Sequence, residues 1–150
     1  MKEKKSYRAC VLAVFQDEKG KLLICERSDF HSWQFPQGGV DEGESDREAL
    51  YREIFEEIGV ESFDIIKESS KTVRYDFPKK LEKPISKEFT GQEQRWFLCK
   101  MKQSISPDLS RATTKEFVSF RWEEVSRVLD EVIDWKKESY LQGLRLLGLL

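Results

Sequence analysis

Carboxylates dominate the stretch from Asp41 to Glu57, where Asp41, Glu42, Glu44, Asp46, Glu48, Glu53, Glu56 and Glu57 face only Arg47 and Arg52. Three of them close a single amphipathic segment. At about 100° per residue, Leu50, Tyr51, Ile54, Phe55 and Ile58 form one apolar stripe of a helix, and Glu53, Glu56 and Glu57 share the face that borders it. Like charges three and four residues apart cost an isolated helix roughly 0.2–0.5 kcal/mol per pair, and these stand in the last two turns, where the macrodipole is already negative. Arg52, four residues before Glu56, offsets part of the repulsion but cannot satisfy three carboxylates. A hard divalent cation can, because Mg²⁺ prefers oxygen ligands and is commonly held by a few carboxylates, water and substrate phosphates. A merely solvated acidic face is the competing reading.

Other chemistries have little to build on. His31 is the single histidine, so a Ser-His-Asp relay or a multi-histidine metal site would need that one residue, and acid–base work falls to carboxylates. Cys10, Cys25 and Cys99 lie far apart inside apolar runs with no C-x-x-C pair, as reduced structural thiols do. The 150 residues carry 26 basic and 28 acidic side chains, net −2, with 39% hydrophobic and 36% charged residues, as expected of one globular domain spanning residues 1–150. Fibrous and disordered classes are excluded. The longest stretch without Asp, Glu, Lys or Arg, Phe30 to Val40, is interrupted by Pro36, Gly38 and Gly39 and falls short of the ~18 residues of a membrane span. The basic start, Met1 to Lys5, leads into Ser6, Tyr7 and Arg8 rather than an apolar run, so no secretory signal is expected and the expected location is the cytoplasm. Outside the acidic centre the balance is basic, with four lysines against Glu82 from Lys79 to Lys87. That pattern suits a chain that binds a cation and, through it, a polyanion.

Positioning the carboxylates requires a scaffold. Arg8–Phe15 and Lys21–Arg27 are short Val, Leu and Ile-rich runs joined by Gln16 to Gly20, which predicts a hairpin. Trp33–Pro36 predicts another strand, running into a turn at Gly38-Gly39. A helix is predicted from Asp46 to Ile58, with Ser45 as N-cap, Glu48 completing a capping box and Gly59 closing the C-terminus. Further strands are predicted at Phe63–Ser69, Thr72–Phe77, Arg95–Met101 and Phe117–Trp122, then helices at Glu123–Leu129 and Asp134–Leu149. Interleaved strands and helices imply an α/β fold, a mixed sheet covered by helices on both faces.

From Gly38 the chain reads G-x5-E-x7-R-E-I-x-E-E-x-G-V, met by Gly38, Glu44, Arg52, Glu53, Ile54, Glu56, Glu57, Gly59 and Val60. This pattern is the Nudix box, and the chain resembles the Nudix hydrolases. The resemblance implies an α/β/α sandwich whose box forms loop-helix-loop, and cleavage of a nucleoside diphosphate linked to another group. It assigns metal ligation to Glu53, Glu56 and Glu57, a backbone carbonyl ligand to Gly38, orientation of the glutamates to Arg52 and bracing of the loop to Glu44. Gly59 is equally a plain C-cap, and Ile54 and Val60 plain core.

Outside the box, Tyr7-Arg8, SWQFPQGG at Ser32 to Gly39, GQEQRWFL at Gly91 to Leu98, and TKEF at Thr114 to Phe117 followed by Arg121-Trp122 are similar to the bacterial RNA 5′-pyrophosphohydrolases, a group linked to dinucleoside oligophosphate hydrolases. By that resemblance Glu116 becomes a further metal ligand or base, alongside Glu53; alone it reads as an exposed loop residue. Arg8, Arg27 and Ser32 match substrate-contacting positions, although two strand arginines also read as edge charges. Tyr75 and Trp135, with Lys136, become two walls of a base cleft, since base-on-aromatic stacking contributes ~1–3 kcal/mol per base. Here Trp135-Lys136-Lys137 replaces the usual Phe-Lys-Arg. The implied cofactor is two or more Mg²⁺ ions, with Mn²⁺ able to substitute. The implied reaction converts 5′-triphosphate or diphosphate RNA ends to 5′-monophosphate, initiating mRNA decay. Dinucleoside polyphosphate hydrolysis and a non-catalytic nucleotide- or RNA-binding module remain the alternatives.

Overall fold

In the computed structural model, residues 5–81 and 83–150 are described; Met1 to Lys4 of the basic start and Glu82 of the lysine run lie outside the described residues. The chain order is β1 (Lys5–Phe15), β2 (Leu22–Arg27), β3 (Trp33–Gln34), β4 (Gln37–Gly39), α1 (Asp46–Ile58), β5 (Phe63–Glu68), β6 (Val73–Asp76), α2 (Pro84–Glu88), β7 (Phe89–Met101), β8 (Phe117–Glu123), α3 (Val125–Glu131), a 3₁₀ turn (Asp134–Lys136) and α4 (Lys137–Leu146).

β1 is apolar on both faces, and the fold uses both. Val11, Ala13 and Phe15 join Phe97 and Cys99 of β7 against Ala49, Leu50, Ile54 and Ile58 of α1. Leu12, Val14 and Trp96 face Val128, Tyr140 and Leu144 from α3 and α4. A strand buried on both sides reads as a continuous hydrophobic run, which is what CVLAVF is. β1 pairs parallel with β7 and antiparallel with β4, while β5 and β6 pair antiparallel with β7. The resulting mixed five-stranded sheet, ordered β4-β1-β7-β5 with β6 also on β7, lies between α1 and the C-terminal helices.

The predicted β1–β2 hairpin does not form as a paired ladder. The two strands are joined by a tight turn around Asp17, whose carboxylate accepts the Lys19 and Lys21 N–H groups at 2.9 and 2.8 Å. Beyond an isolated bridge from Gln16 to Leu22 they part: β2 enters a second sheet ordered β3-β2-β8. Both edges of β1 are already taken. The predicted Gly38-Gly39 turn is instead strand β4, in register Cys10 to Gly39 and Val11 to Gly38. β7 begins at Phe89, six residues before the predicted start, α2 had no counterpart in the prediction, and the last helix ends at Leu146 rather than Leu149. The predicted α1 bounds hold. Among the described residues no helix is long and apolar enough to cross a membrane.

Candidate active site

Helix α1 is fixed at both ends by local chemistry. Ser45 Oγ accepts the Glu48 N–H and Glu48 Oε1 accepts the Ser45 N–H, each at 3.1 Å, so the capping box forms. At the other end Gly59 adopts a left-handed φ of 71° and donates its N–H to Phe55 O at 3.0 Å. A helix leaves its last carbonyls without intrahelical partners. Here the carbonyl of Glu56 accepts the N–H groups of Thr113 and Thr114, and that of Ile58 accepts the Asp108 N–H. The loop so captured delivers Glu116, just before β8, to the carboxylate face.

Arg52 organises the same face. Its guanidinium reaches Glu44 at 2.7 and 2.9 Å, Glu53 at 2.8 Å, Glu56 at 3.2 Å and the Gly39 carbonyl at 2.9 Å. One cation therefore ties the loop, β4 and two box glutamates together, and hydrogen bonding from Arg52 holds the Glu44 carboxyl down to about 2. Gly38 packs so closely on α1 that an added Cβ would overlap the Glu53 carboxylate.

Glu57 lies deepest, at 1% exposure. Its Oε1 accepts the Gln37 N–H at 3.0 Å, while Oε2 is buried with no hydrogen-bond partner. Burial pushes its carboxyl well above the usual carboxylate range, and the nearby Glu116 carboxylate pushes the same way. Burial also raises Glu53, against the pull of Arg52. Among the described residues no three acidic, His or Cys side chains stand as a ready-made metal cage. Arg52 pairs with Glu53 and Glu56, and Arg27 Nη1 donates to Glu116 at 3.1 Å. A buried carboxylate oxygen without a donor is nevertheless expensive unless a cation meets it. The surrounding donors are all oxygen, the set a hard divalent ion takes.

Above this face opens a cleft of about 400 Å³. Its walls include Gly38, Glu53, Glu56 and Glu116, and also Arg8, Arg27, Ser32, Tyr75, Trp135 and Lys136. Of the residues singled out from sequence, Arg52 and Glu57 stand behind the wall rather than on it. The Arg8 guanidinium lies over Gly39, where a Cβ would overlap it. Arg27 forks onto Asp29 through Nε and Nη2, both at 2.8 Å. Lys136 is 7% exposed, donates to Gln34 Oε1 at 2.9 Å, and is lowered to about 8 by burial and by Arg27. Tyr75 and Trp135 do meet, but with ring centroids 5.6 Å apart and tilted 49°. The two rings therefore stand side by side on the cleft wall.

Several participants were not singled out individually from sequence, although Gln37, Gln92, Gln94 and Trp96 lie within the SWQFPQGG and GQEQRWFL stretches. A buried amide chain runs from Trp96 Nε1 to Gln94, and from Gln94 to Gln37 and Gln92, steadying the residue whose N–H holds Glu57. Asp29 pairs with both Arg27 and Lys83, and Phe30 and Lys83 line the cleft. Lys83 was visible only as one charge of the Lys79–Lys87 run.

Comparison with known proteins agrees with this architecture. A family model described as the NUDIX domain matches residues 6–143. The chain is 38% identical over 143 residues to the RNA pyrophosphohydrolase of Helicobacter pylori (strain P12), covering 92% of this chain and 91% of that one. It is 37% identical over 145 residues to the RNA pyrophosphohydrolase of Sulfurovum sp. (strain NBC37-1), covering 93% and 92%. Among solved structures, the E. coli dihydroneopterin triphosphate pyrophosphohydrolase superposes with a TM-score of 0.70 at 19% identity, over 92% of this chain and 97% of that one. The C. elegans Ap4A hydrolase binary complex superposes at 0.65 and 18% identity, over 95% and 99%. These two likenesses are of fold.

Proposed function

The chain belongs to the Nudix hydrolases, and on that ground we propose that it is an RNA 5′-pyrophosphohydrolase acting in the cytoplasm as a single Nudix domain. Nudix hydrolases generally need divalent metal ions; here the proposed ions are two or more Mg²⁺, or Mn²⁺ in their place. The observation that carries the reading is one cleft holding Glu53, Glu56 and Glu116 over buried Glu57, rimmed by Arg8, Arg27 and Lys136. Carboxylates alone repel a polyphosphate and cations alone would bind one without cleaving it. The RNA end as substrate rests on the name borne by relatives that match more than nine-tenths of the chain.

In this reading Glu53, Glu56, Glu57, Glu116 and the Gly38 carbonyl would hold the ions, which would supply positive charge to phosphoryl oxygens and acidify water. Arg52 keeps Glu53 and Glu56 aimed. Arg8, Arg27, Lys136 and Ser32 grip the 5′-polyphosphate, so catalysis is mostly positioning and electrostatics. Water oxygen bonds to a phosphorus of the polyphosphate, the phosphoanhydride P–O bond breaks, and the water proton passes to Glu53 or Glu116. The products are 5′-monophosphate RNA and pyrophosphate, or successive orthophosphates. Tyr75 and Trp135, in contact on the cleft wall, offer a joined aromatic surface to a base.

End-labelled 5′-triphosphorylated RNA tests the proposal, run beside a nucleoside triphosphate and diadenosine tetraphosphate with Mg²⁺. The expected result is fastest turnover of the RNA to monophosphorylated ends. Faster release from diadenosine tetraphosphate would move the chain to the dinucleoside polyphosphate hydrolases, and no Mg²⁺-dependent release from any of the three would leave a binding module.

A further inference from the structure

Phe30 is a large aromatic left 51% exposed on the wall of the catalytic cleft. It is not on a loose loop. The Arg27 N–H donates to Ser32 O at 2.8 Å, the His31 N–H to Arg27 O at 3.0 Å, and the Phe30 N–H to Asp29 Oδ1 at 2.8 Å. His31 completes the turn at a φ of 54°, in the left-handed region. These bonds fix the backbone of the turn, and the Phe30 ring stands exposed on the cleft wall. The Lys83 ammonium lies 4.6 Å from its centroid and is tied to Asp29, which is shared with Arg27. Lys83 also lines the cleft. An exposed aromatic beside a cation is the pairing used for unpaired nucleotides: the ring takes the base and the cation the phosphodiester.

Resting on the RNA-end reading above, we infer that Phe30 and Lys83 form a nucleotide subsite separate from Tyr75 and Trp135, stacking one unpaired base of the RNA and meeting a backbone phosphate. The occupant is the polynucleotide itself. A free nucleoside triphosphate has no phosphodiester to offer Lys83, so the subsite favours RNA chains over mononucleotides. Asp29 pairs with both Arg27 and Lys83 and so ties the two cations together.

The test is steady-state kinetics on a 5′-triphosphorylated pentanucleotide with Mg²⁺. Phe30→Ala is expected to raise KM about five- to tenfold, near the low end for loss of one base stack. Phe30→Trp is expected to restore it. Lys83→Gln is expected to raise KM and to reduce the slope of log KM against log salt by about 0.7, one single-strand phosphate contact. Both side chains are on the surface of the cleft, and thermal melts establish that the variants fold. If wild type cleaves the pentanucleotide while Phe30→Ala keeps its KM, or Lys83→Gln keeps the full salt slope, the subsite is overturned and the RNA-end activity stands. If wild type releases nothing from the RNA, the activity falls and takes the subsite with it.

Discussion

Gly38 leaves the catalytic face no room for a side chain. Its missing Cβ is the space that the Glu53 carboxylate fills. Gly38→Ala is expected to displace Glu53 and lower kcat on triphosphorylated RNA by about 100-fold, the scale set by a misplacement near 1 Å, with the fold retained by circular dichroism. Glu57 makes a prediction about stability rather than rate. Its carboxyl is raised in the fold, so the native state keeps a proton to higher pH than the unfolded chain does. In EDTA the stabilisation from this group is complete below its ordinary value of 4.5 and is lost as pH rises through the raised native value. Calorimetric Tm of the metal-free protein is thus expected to fall as pH rises above 4.5, and Glu57→Gln to flatten that slope. Lys136 titrates in the other direction. Lowered to about 8, it loses its charge as pH rises past that value, and bound phosphate favours the charged form. KM for the RNA end is expected to rise above pH ~8, and Lys136→Met to raise KM at lower pH and remove this limb of the profile.

Among the elements, α1 carries the local signals and was fully legible. Its cap, box and C-terminal glycine lie within the helix or next to it, and the side-chain stripe follows the helical period. The loop between Asp108 and Glu116 was not legible, because the capture of Asp108, Thr113 and Thr114 by the open carbonyls of α1 is decided in three dimensions. Glu116 therefore entered only through resemblance. The β1–β2 hairpin failed for a related reason: two apolar runs joined by a turn say nothing about which edges are free, and β4 and β7 occupy those of β1. Gly38-Gly39 looked like a turn by composition, yet the glycines are there because Glu53 and Arg8 press against that strand. At the element scale the sharpest prediction is Gly59→Ala. The residue sits at a φ of 71°, and a Cβ there would overlap the Asp108 carbonyl. The left-handed backbone alone costs about 1–2 kcal/mol. The variant is expected to lose at least that much in urea melts and, through the displaced 108–116 loop, activity as well.

Across the whole molecule, two hydrophobic cores on opposite faces of one sheet fix the relative placement of acid and base. α1 brings the carboxylates from one side. The C-terminal segment, docked by the Phe35 N–H on the Tyr140 hydroxyl at 2.9 Å, brings Trp135 and Lys136 from the other. A net charge of −2 gives no broad attraction for nucleic acid, so recognition is concentrated in the cleft. The proposed activity depends on cations joining the buried glutamates to a polyphosphate. Binding of Mn²⁺, monitored by loss of its free-ion resonance signal, measures that junction directly in wild type and in a Glu53→Gln, Glu57→Gln double variant, with and without a nonhydrolysable 5′-triphosphate RNA analogue. The predicted result is tighter Mn²⁺ binding by wild type when the RNA analogue is present, and loss of both the binding and the enhancement in the variant. Equal Mn²⁺ binding by the two proteins would contradict it.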